Sequence, residues 1–530
     1  MNASPRKKLF RMVVPAYPAF NIYSRIAKET TSLGPLTVAT VVSQIQGWNV
    51  EIIDENNYRK FGPKDETGRS DHSTLQSIRH ADVVGFYGGL SSTIPRLHEL
   101  ARLYKQNKAI TIAGGQHFVD DNIRVALANS IDFVVIGEGE NTIQELLEVI
   151  EKDGNPADVA GIAFMRDGQM VRTQERPTIK NFDELPLPDF NLLRYAKVKL
   201  YPVNWIRGCG MNCEFCTVKG KPRAASPGRV VEQIASLLEK HNARRFFIVD
   251  DLFGHNRADA LKLCQLLTDY QKAVGIRLDI IVQIRLDRAR DTELLRAMRA
   301  AGINMVCIGF ESPIAEELAA MDKRIKPEDM LEMTRLFHRA GFLVHGMFIF
   351  GYPLLNNATM KMSADERIKR FRRFIRKSRL DTIQLLLTVP LPGTQLTKRL
   401  AAENRIFPLN HIGWEYYDGN FPVFMPDDPM TPEDMHMAIR KIMGRFYRFR
   451  NMFSVGRNVL IFPAMMLPLW NIHFSWRKWY RLWRNDIIRF GGWLILRRWA
   501  SLVRRNRFAE KLAQAKEGLG HQSIMSRPTR

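Results

Sequence analysis

Cysteine is scarce in this sequence. The 530 residues include five cysteines, none of them among the first 208, and three of them fall within eight residues. A secreted disulfide framework needs more cysteines, spread along the chain, so this distribution excludes one and indicates a reducing compartment and a metal site. Low-complexity tracts are also absent, and 45% of the residues are hydrophobic, which predicts a folded chain of two or three domains.

Long apolar runs are missing as well. The longest mainly apolar stretch, 458–470, contains two prolines and is too short to span a bilayer. The first ten residues are basic but have no apolar segment, so we expect no secretory signal. These features favour a cytoplasmic protein, and a peripheral position at the inner face of the membrane stays open.

Acidic residues are few toward the C-terminus. The formal net charge of the chain is +23, and residues 431–530 carry 20 Lys/Arg against 5 Asp/Glu. Any attraction to nucleic acid or to an anionic membrane must therefore come mainly from this tail.

The first 155 residues alternate short buried β-type runs with stretches long enough for crossover helices. This pattern predicts a doubly wound, Rossmann-like α/β domain, whose ligands bind beyond the carboxyl ends of its strands. The expected strands are 9–14, 50–54, 83–87, 109–113 and 133–136. Glycine-rich segments follow at 88–92, 114–117 and 137–140. Such segments let backbone approach a ligand closely, although for any single glycine an ordinary turn is the better interpretation.

A connector, 156–195, contains an expected hairpin around Asp167-Gly168 and a stiff Leu-Pro-Leu-Pro segment at 185–188. A second alternation over 196–425, with about six β/α units, predicts an open, partial TIM-like (β/α)6 barrel. Its expected strands are 204–207, 246–250, 278–284, 305–310, 343–350 and 382–388. Residues 426–530 then form a basic, tryptophan-rich helical region.

Cys209, Cys213 and Cys216 carry the clearest chemical signal. Their spacing, C-x3-C-x2-C, falls just after the first expected barrel strand. Thiolates are the usual ligands of iron–sulfur clusters, and three in one loop can hold three irons of a [4Fe–4S] cubane and leave the fourth iron open. Zinc is the alternative metal, but structural zinc takes four ligands and this set has no fourth. The remaining alternative is that the three cysteines are close by chance and bind no metal. The other two cysteines, Cys264 and Cys307, are more typical of small core residues.

The triplet, with Phe215 before its last cysteine, resembles that of the radical S-adenosylmethionine (SAM) superfamily, and the similarity extends to about Leu396. The resemblance implies that the open iron chelates the amino and carboxylate groups of SAM, and that the reduced cluster cleaves its sulfonium. It also implies SAM contacts from Phe215, Asp250, Asp251, Gln283, Arg285 and Glu311. Asp250 and Asp251 replace the Gly-Gly-Glu pattern that is commoner in the family, and each of these residues is as readily a cap or turn residue.

An α/β domain before such a barrel resembles the cobalamin (B12)-binding subfamily. This implies that cobalamin lies against Gly114, Gly115, Gly137, Glu138 and Gly139. It also implies that Gly88, Gly89, Ser91 and Ser92 line the slot for its dimethylbenzimidazole. The Asp-x-His-x-x-Gly motif that supplies a lower histidine ligand in other cobalamin proteins is absent, so the cofactor would sit base-off. The alternative is a domain that has lost cobalamin and serves as a substrate or docking module.

The tail holds six of the nine tryptophans. One side of an expected helix, interrupted at Gly491-Gly492, carries an apolar stripe flanked by basic residues: Trp476, Trp479, Tyr480, Trp483, Ile487, Phe490 and Leu494. Such a face suits an interfacial helix on anionic lipid. A helix packed on the barrel with its arginines in solvent is a nearly equal alternative, and stacking of nucleic-acid bases on tryptophan ranks third.

The family resemblance also implies the chemistry. A 5′-deoxyadenosyl radical removes hydrogen from an unactivated carbon, and in the cobalamin subfamily methylcobalamin then donates a methyl group, or the radical closes a ring. We expect such a C–H modification of a small apolar, lipid-like substrate, with an external electron donor such as flavodoxin or ferredoxin. A tRNA-modifying methylthiotransferase would need a second cysteine set in the N-terminal domain, which has no cysteine. A non-catalytic iron–sulfur redox or binding protein leaves the β/α units unexplained.

Overall fold

The computed structural model describes residues 6–355, 360–457 and 476–525. The apolar stretch 458–470 therefore lies outside the described residues. So do the side chains of four members of the predicted tail stripe: Trp476, Trp479, Tyr480 and Trp483.

The N-terminal sheet has seven strands in the order β2-β1-β3-β4-β5-β6-β7. Its strands are β1 (Lys8–Val14), β2 (Trp48–Asp54), β3 (Val83–Tyr87), β4 (Ile110–Gly114), β5 (Phe133–Val135), β6 (Ile162–Arg166) and β7 (Gln169–Arg172). The first five are parallel and lie within two residues of their predicted bounds. Fully buried side chains such as Phe10 and Val13 explain why these apolar runs form a sheet covered on both faces.

Helices cover both faces of this sheet, as the doubly wound pattern predicts. They are α1 (Ser24–Ala27), α2 (Leu33–Ser43), α3 (His72–Ile78), α4 (Ile94–Gln106), α5 (Asp121–Ala128) and α6 (Gly139–Glu151). The predicted hairpin at Asp167-Gly168 is confirmed: both residues have positive φ, and β6 and β7 pair antiparallel across them. Because β6 also pairs with β5, the hairpin extends the N-terminal sheet.

Six parallel strands form the second sheet, in the order β15-β14-β13-β12-β11-β8. They are β8 (Tyr201–Val203), β11 (Arg245–Phe253), β12 (Asp279–Ile284), β13 (Ile303–Glu311), β14 (Leu343–Phe350) and β15 (Thr382–Leu387). The intervening helices are α7 (Pro227–His241), α8 (Arg257–Val274), α9 (Thr292–Ala300), α10 (Ala315–Ala320), α11 (Pro327–Arg339) and α12 (Ala364–Ser378). The edge strands β8 and β15 do not pair, so the partial barrel is open, as predicted. Cys264 and Cys307 are buried in its core, also as predicted.

The first barrel strand differs from its prediction. Residues 204–207 were expected to form it, but β8 ends at Val203, and β9 (Ile206–Arg207) pairs antiparallel with β10 (Arg223–Ala224). The chain turns between the two because one carboxylate oxygen of Asp250 accepts the N–H groups of Trp205 and Ile206, each at 2.8 Å. The cysteine loop therefore follows the short strand β9 and not the barrel strand β8.

The chain after the barrel is helical and packs on the barrel. It forms α13 (Gln395–Ala402), α14 (Pro432–Phe446), α15 (Asn451–Gly456), α16 (Trp476–Arg505) and α17 (Phe508–Met525). Short 3-10 turns complete the structure at Glu55–Asn57, Ser91–Thr93, Pro156–Asp158, Phe182–Glu184, Phe190–Leu192, Leu286–Arg290 and Trp414–Tyr416. Within the described stretches, no helix combines the length and apolarity needed to cross a membrane.

The predicted interruption at Gly491-Gly492 is wrong, because α16 continues through both glycines. Gly492 allows close packing here, since a Cβ at this position would clash with the ring of Tyr447. Leu496 and Trp499 are buried on the same helix, whereas Ile487 and Leu494 of the predicted stripe are 44% and 42% exposed. The described part of α16 therefore packs on the barrel and leaves only part of its apolar surface exposed.

Candidate active site

The loop that carries the three cysteines lies between β9 and β10. Gly208 and Gly210 shape its start with φ of 86° and 70°, in the left-handed region that favours glycine. A Cβ at Gly208 would also come within 2.9 Å of the carbonyl oxygen of Lys221. The N–H of Gly210 donates to the carbonyl of Gly220 at 3.0 Å, so the loop returns to its own base and holds the cysteines in a compact turn.

The three thiols have different exposure. Cys213 is buried, whereas Cys209 and Cys216 are half-buried. Burial raises the pKa of the Cys213 thiol, and the positive charge of Lys323 acts in the opposite direction. Among the residues that the structure describes, no three His, Cys, Asp or Glu side chains lie close enough to hold a single metal ion. Three thiols in one loop beside a cation are a donor set that suits an iron–sulfur cluster.

Glu214, between the second and third cysteines, anchors the loop to the barrel. Its carboxylate accepts two hydrogen bonds from the guanidinium of Arg399, at 2.7 and 2.9 Å, and one from the hydroxyl of Tyr352, at 2.6 Å. The ring of Tyr352 also contacts Phe215 edge-on, with centroids 6.0 Å apart. Sequence reasoning missed this anchor, because Arg399 lies 185 residues away and only the folded chain brings the two together.

Asp250 and Asp251 are neighbours on β11 with different surroundings. Besides the bonds from Trp205 and Ile206, Asp250 has a second oxygen without a hydrogen-bond partner among the described residues. Burial raises the pKa of this carboxyl to about 7. Asp251 borders the interdomain cavity described below and lies near Cys216. The structure thus places Asp250 under the turn that leads to the loop, and Asp251 where it could meet a ligand.

Glu311 lies at the end of β13 and forms an ion pair with Lys323 at 2.8 Å. Glu311 has a φ of 58°, a strained conformation for a residue with a side chain. Both side chains are mostly buried. The negative charge of Glu311 raises the pKa of the Cys213 thiol, and the positive charge of Lys323 lowers it. The structure therefore brings the predicted Glu311 to the cysteine loop and adds Lys323, which no sequence pattern indicated.

The two predicted residues of the third strand lie nearby. Gln283 is half-buried on β12, opposite Cys307 in register. Arg285 pairs with Asp287 at 2.7 Å and approaches the sulfur of Met211, in the cysteine loop, at 3.8 Å. Arg285 is thus in contact with the loop, whereas Gln283 contributes to the barrel interior.

An ionic clasp joins the N-terminal domain to the base of the cysteine loop. Glu138 pairs with Arg207 at 3.2 Å and with Arg223 at 2.9 Å, and Glu140 pairs with Arg207 at 2.6 Å. Both guanidinium groups lie over the ring of Phe182, at 4.7 and 5.2 Å from its centroid. Glu138 was predicted to contact cobalamin; it borders the cavity, and its carboxylate is held by these two arginines.

A continuous cavity of about 740 Å³ lies between the N-terminal domain and the barrel. The cysteine loop borders it from Cys216 to Lys219, together with Asp251. On the facing side, four predicted glycines line the cavity mouth: Gly114, Gly115, Gly137 and Gly139. At the rim, Thr217 of the loop donates to Gln116 of the N-terminal domain at 3.1 Å. Both domains therefore open onto one space.

The deep end of the cavity is an apolar slot inside the N-terminal domain. Phe10, Met12, Ile112 and Val135 line it, and α2 covers it. Gly34 on α2 borders the slot, and a Cβ there would meet nothing nearer than the ring of Tyr87, at 3.9 Å. An apolar slot with a glycine-lined mouth fits a large flat cofactor with an aromatic tail.

Four predicted residues lie behind the cavity wall. Gly88, Gly89, Ser91 and Ser92 are not among the residues that line the cavity. A Cβ at Gly88 would clash with the ring of Phe118, and the hydroxyl of Ser91 hydrogen-bonds Nδ1 of the buried His117 at 3.0 Å. These residues shape the wall by close packing rather than by facing the cavity.

Two family models match the chain. The model of the radical SAM superfamily covers residues 203–400, and the model of the B12 binding domain covers residues 22–147. The first match contains the cysteine loop and most of the barrel. The second contains the glycine-lined mouth of the cavity and α2 above the apolar slot, whereas Phe10 and Met12 of the slot precede it.

Curated relatives extend over much of the chain. An uncharacterized methyltransferase of Pyrococcus horikoshii is 25% identical over 453 residues, covering 83% of this chain and 93% of the relative. The anaerobic magnesium-protoporphyrin IX monomethyl ester cyclase of Synechocystis is 26% identical, covering 76% and 79%. Hopanoid C-2 methylase of Rhodopseudomonas palustris is 28% identical, covering 52% and 50%.

Solved structures share the fold. TsrM, a radical SAM methyltransferase from Kitasatospora setae with cobalamin and a [4Fe–4S] cluster bound, has a TM-score of 0.60 at 17% identity and covers 75% of this chain and 78% of its own. OxsB, a cobalamin-dependent SAM radical enzyme with aqua-cobalamin and SAM bound, has a TM-score of 0.63 at 13% identity, with coverages of 97% and 84%. At these identities the likeness concerns the fold.

A doubly wound domain placed over an open barrel with a three-cysteine loop defines an enzyme of the radical SAM type. The chain combines a radical SAM domain, within residues 203–400, with an N-terminal B12-binding domain, within residues 22–147. The cofactors that these two domains imply are a [4Fe–4S] cluster, SAM and cobalamin. The family and cofactors predicted from the sequence are thereby confirmed.

Proposed function

We propose that this enzyme uses cobalamin to methylate an unactivated C–H carbon of a small apolar, lipid-like substrate. The observation that carries the proposal is the 740 Å³ cavity that the cysteine loop shares with the mouth of the B12-binding domain. SAM cleavage alone does not require a second cofactor site in the same cavity. Methyl transfer to a carbon radical requires one, because the radical and the methyl donor must meet without exposure to water.

In this proposal Cys209, Cys213 and Cys216 would hold the cluster, and SAM would bind beside them. The cluster and SAM supply a radical that removes hydrogen, and cobalamin supplies the methyl group. The ion pair of Glu311 and Lys323, together with Asp251, borders the site of SAM. Charged groups fixed in place by their neighbours can orient a zwitterionic ligand without reorganising when it binds.

The N-terminal domain would hold cobalamin through the shape of the glycine-lined mouth and of the apolar slot. Gly114, Gly115, Gly137 and Gly139 let the backbone approach the corrin ring closely. The apolar slot beneath α2 would accommodate the benzimidazole tail. The ionic clasp at Glu138 then sets the distance between this domain and the cysteine loop.

The substrate class is supported by the apolar side of the cavity and by two of the relatives. One relative is named for a hopanoid and another for a protoporphyrin ester, both largely apolar polycyclic molecules. The electron consumed in SAM cleavage comes from an external donor such as flavodoxin or ferredoxin.

The test is product stoichiometry with the full chain, reconstituted anaerobically with iron, sulfide and hydroxocobalamin. It receives dithionite and SAM labelled in its methyl group, with a hopanoid or a polyprenyl alcohol as the candidate substrate. Methylation predicts a labelled product accompanied by one 5′-deoxyadenosine and one S-adenosylhomocysteine, because one SAM provides the radical and another the methyl group. Cys213→Ser abolishes the 5′-deoxyadenosine and the labelled product, whereas the matched control Cys264→Ala retains both. Undiminished 5′-deoxyadenosine from Cys213→Ser would refute the proposal.

Ring closure is the second candidate, favoured by the similarity to the cyclase. It uses the same radical but transfers no methyl group. The same assay separates the two reactions, since cyclisation yields 5′-deoxyadenosine without S-adenosylhomocysteine and a product without the label.

A further inference from the structure

A second large cavity, of about 1030 Å³, lies at the opposite end of the barrel from the cysteine loop. Arg379 and Leu380, which border it, immediately precede β15. The other end of β15 leads to Pro392 and Gly393, which border the interdomain cavity. The two cavities are thus separated by the height of the barrel, about 25 Å for an eight-residue strand such as β14.

The walls of this second cavity are strongly basic. Ten Lys or Arg side chains and one Asp side chain line it, contributed by α12, α14, α16 and the segment around α15. Within the described part of the chain, Arg372, Arg373, Arg376 and Arg450 have no carboxylate within ion-pair distance. Burial, and then repulsion by Arg445, Arg372 and Arg450, lowers the pKa of Arg448. The fold therefore concentrates positive charge here without neutralising it.

Large apolar side chains stand exposed beside these cations. Phe449, Met452 and Phe453 are 44%, 50% and 68% exposed, and Phe453 also borders the cavity. In the sequence, no charged residue follows Arg457 until Arg477. Cations combined with protruding aromatic and methionine side chains are the features of a surface that rests on anionic lipid.

We propose that this basic end of the barrel, lined by α12, α14 and α15, docks the enzyme on an anionic phospholipid bilayer. The arginines contact lipid phosphates, while Phe453 and Met452 enter the boundary between headgroups and acyl chains. The contact is a tether, because the active cavity opens at the other end of the barrel. It is independent of which carbon the enzyme modifies.

Two other acidic partners fit less well. An acidic electron donor bound here would stand a barrel height from the cysteine loop, so it could not reach the cluster directly. A nucleic acid could contact the same arginines, but its charged backbone would not bury the apolar side chains of Phe453 and Met452. Lipid alone accounts for both the charge and the apolar side chains.

The test is sedimentation of the full-length enzyme with vesicles of phosphatidylcholine, alone or mixed with phosphatidylglycerol. Binding is expected only to the mixed vesicles and is weakened by salt. The variant Arg372→Gln/Arg376→Gln/Arg450→Gln should bind more than about 10-fold more weakly, because each cation near an anionic surface contributes separately. The control Lys240→Gln/Arg296→Gln/Arg335→Gln removes as many exposed cations from α7, α9 and α11 and should bind as the unmodified enzyme does.

A second variant keeps the test decisive if the triple variant folds poorly. Met452→Ser/Phe453→Ser changes only exposed side chains, and it should weaken the binding that survives at high salt. Unchanged melting temperature and 5′-deoxyadenosine formation would assign these losses to the surface itself. The proposal is overturned if the arginine variant binds mixed vesicles normally. It is also overturned if RNA binds through these arginines and the vesicles do not compete.

Discussion

Basic side chains at one end of the barrel form ion pairs with carboxylates, whereas several at the other end do not. Near the cysteine loop, the arginines and Lys323 are paired with carboxylates: Arg207 and Arg223 with Glu138, Arg399 with Glu214, and Lys323 with Glu311. At the far end, Arg372, Arg376 and Arg450 have no such partner among the described residues. Paired cations fix the position of a loop or a domain, whereas unpaired cations remain available to a partner.

Glu214→Gln tests the ion pairs near the cysteine loop, and its effect on stability should be the largest. It leaves the mostly buried guanidinium of Arg399 without its carboxylate, which should cost about 3 kcal/mol of stability and loosen the cysteine loop. Iron content and thermal unfolding of the reconstituted enzyme measure the two effects. Asp365→Asn, which breaks an exposed pair with Lys441, should change stability by less than about 1 kcal/mol. Normal iron content and stability in Glu214→Gln would show that the anchor has no role.

Gly34→Phe separates the cobalamin slot from the cluster site. The phenyl group would occupy the apolar slot beneath α2, so corrinoid retained after gel filtration should fall by about 10-fold or more. Iron content should not change. Gly34→Ala is the control, because its Cβ meets no close neighbour; it should retain corrinoid and gain up to about 1 kcal/mol from helix propensity. Full corrinoid retention by Gly34→Phe would place the cofactor elsewhere.

Glu138→Gln tests the clasp through its pH dependence. Burial tends to raise the pKa of Glu138, but the hydrogen bonds from Arg223 and from the N–H of Ile179, with the charge of Arg207, bring it below the usual 4.5. A carboxylate with a depressed pKa stabilises the fold above its unfolded pKa, and this stabilisation is lost as the pH falls through the folded value. The variant should therefore be about 1 kcal/mol less stable at neutral pH.

The stability gap between the unmodified chain and Glu138→Gln should then close below pH 4.5. Urea unfolding of the cluster-free chain measures it without interference from acid lability of the cluster. A gap that stayed constant down to low pH would mean that the carboxylate charge does not hold the clasp.

Two neighbouring glycines of α16 should respond differently to substitution by alanine. Gly492→Ala should destabilise the protein by about 1–2 kcal/mol, because its Cβ would clash with Tyr447. Gly491→Ala meets no close neighbour and should be neutral or stabilising by up to about 1 kcal/mol. Thermal melts compare the two directly. Equal effects would indicate that α16 does not pack on the barrel in solution.

The sequence predicted the strands well where burial alone determines them. Largely apolar runs such as 83–87 and 343–350 matched the observed strands, because a strand covered on both faces buries such a run. The first barrel strand was misplaced because the N–H groups of Trp205 and Ile206 bond to Asp250, 44 residues or more away. A bond of that kind leaves no local pattern.

The residues of the candidate site were also predictable only where a local sequence pattern marks them. The cysteine loop was visible because its residues are close in sequence. Lys323, the anchor on Glu214 and the clasp on Glu138 were not, because their partners are brought together only by the fold. The turn glycines illustrate both cases: Gly114 and Gly137 border the cavity, whereas Gly88 and Gly89 pack behind its wall, and composition alone cannot distinguish them.

The cofactor content of the anaerobically reconstituted chain tests the central claim most directly. If one cavity serves both the cluster and cobalamin, each chain should retain about four iron and four sulfide together with one corrinoid after gel filtration. Zinc in place of iron, or iron without retained corrinoid, would contradict the account.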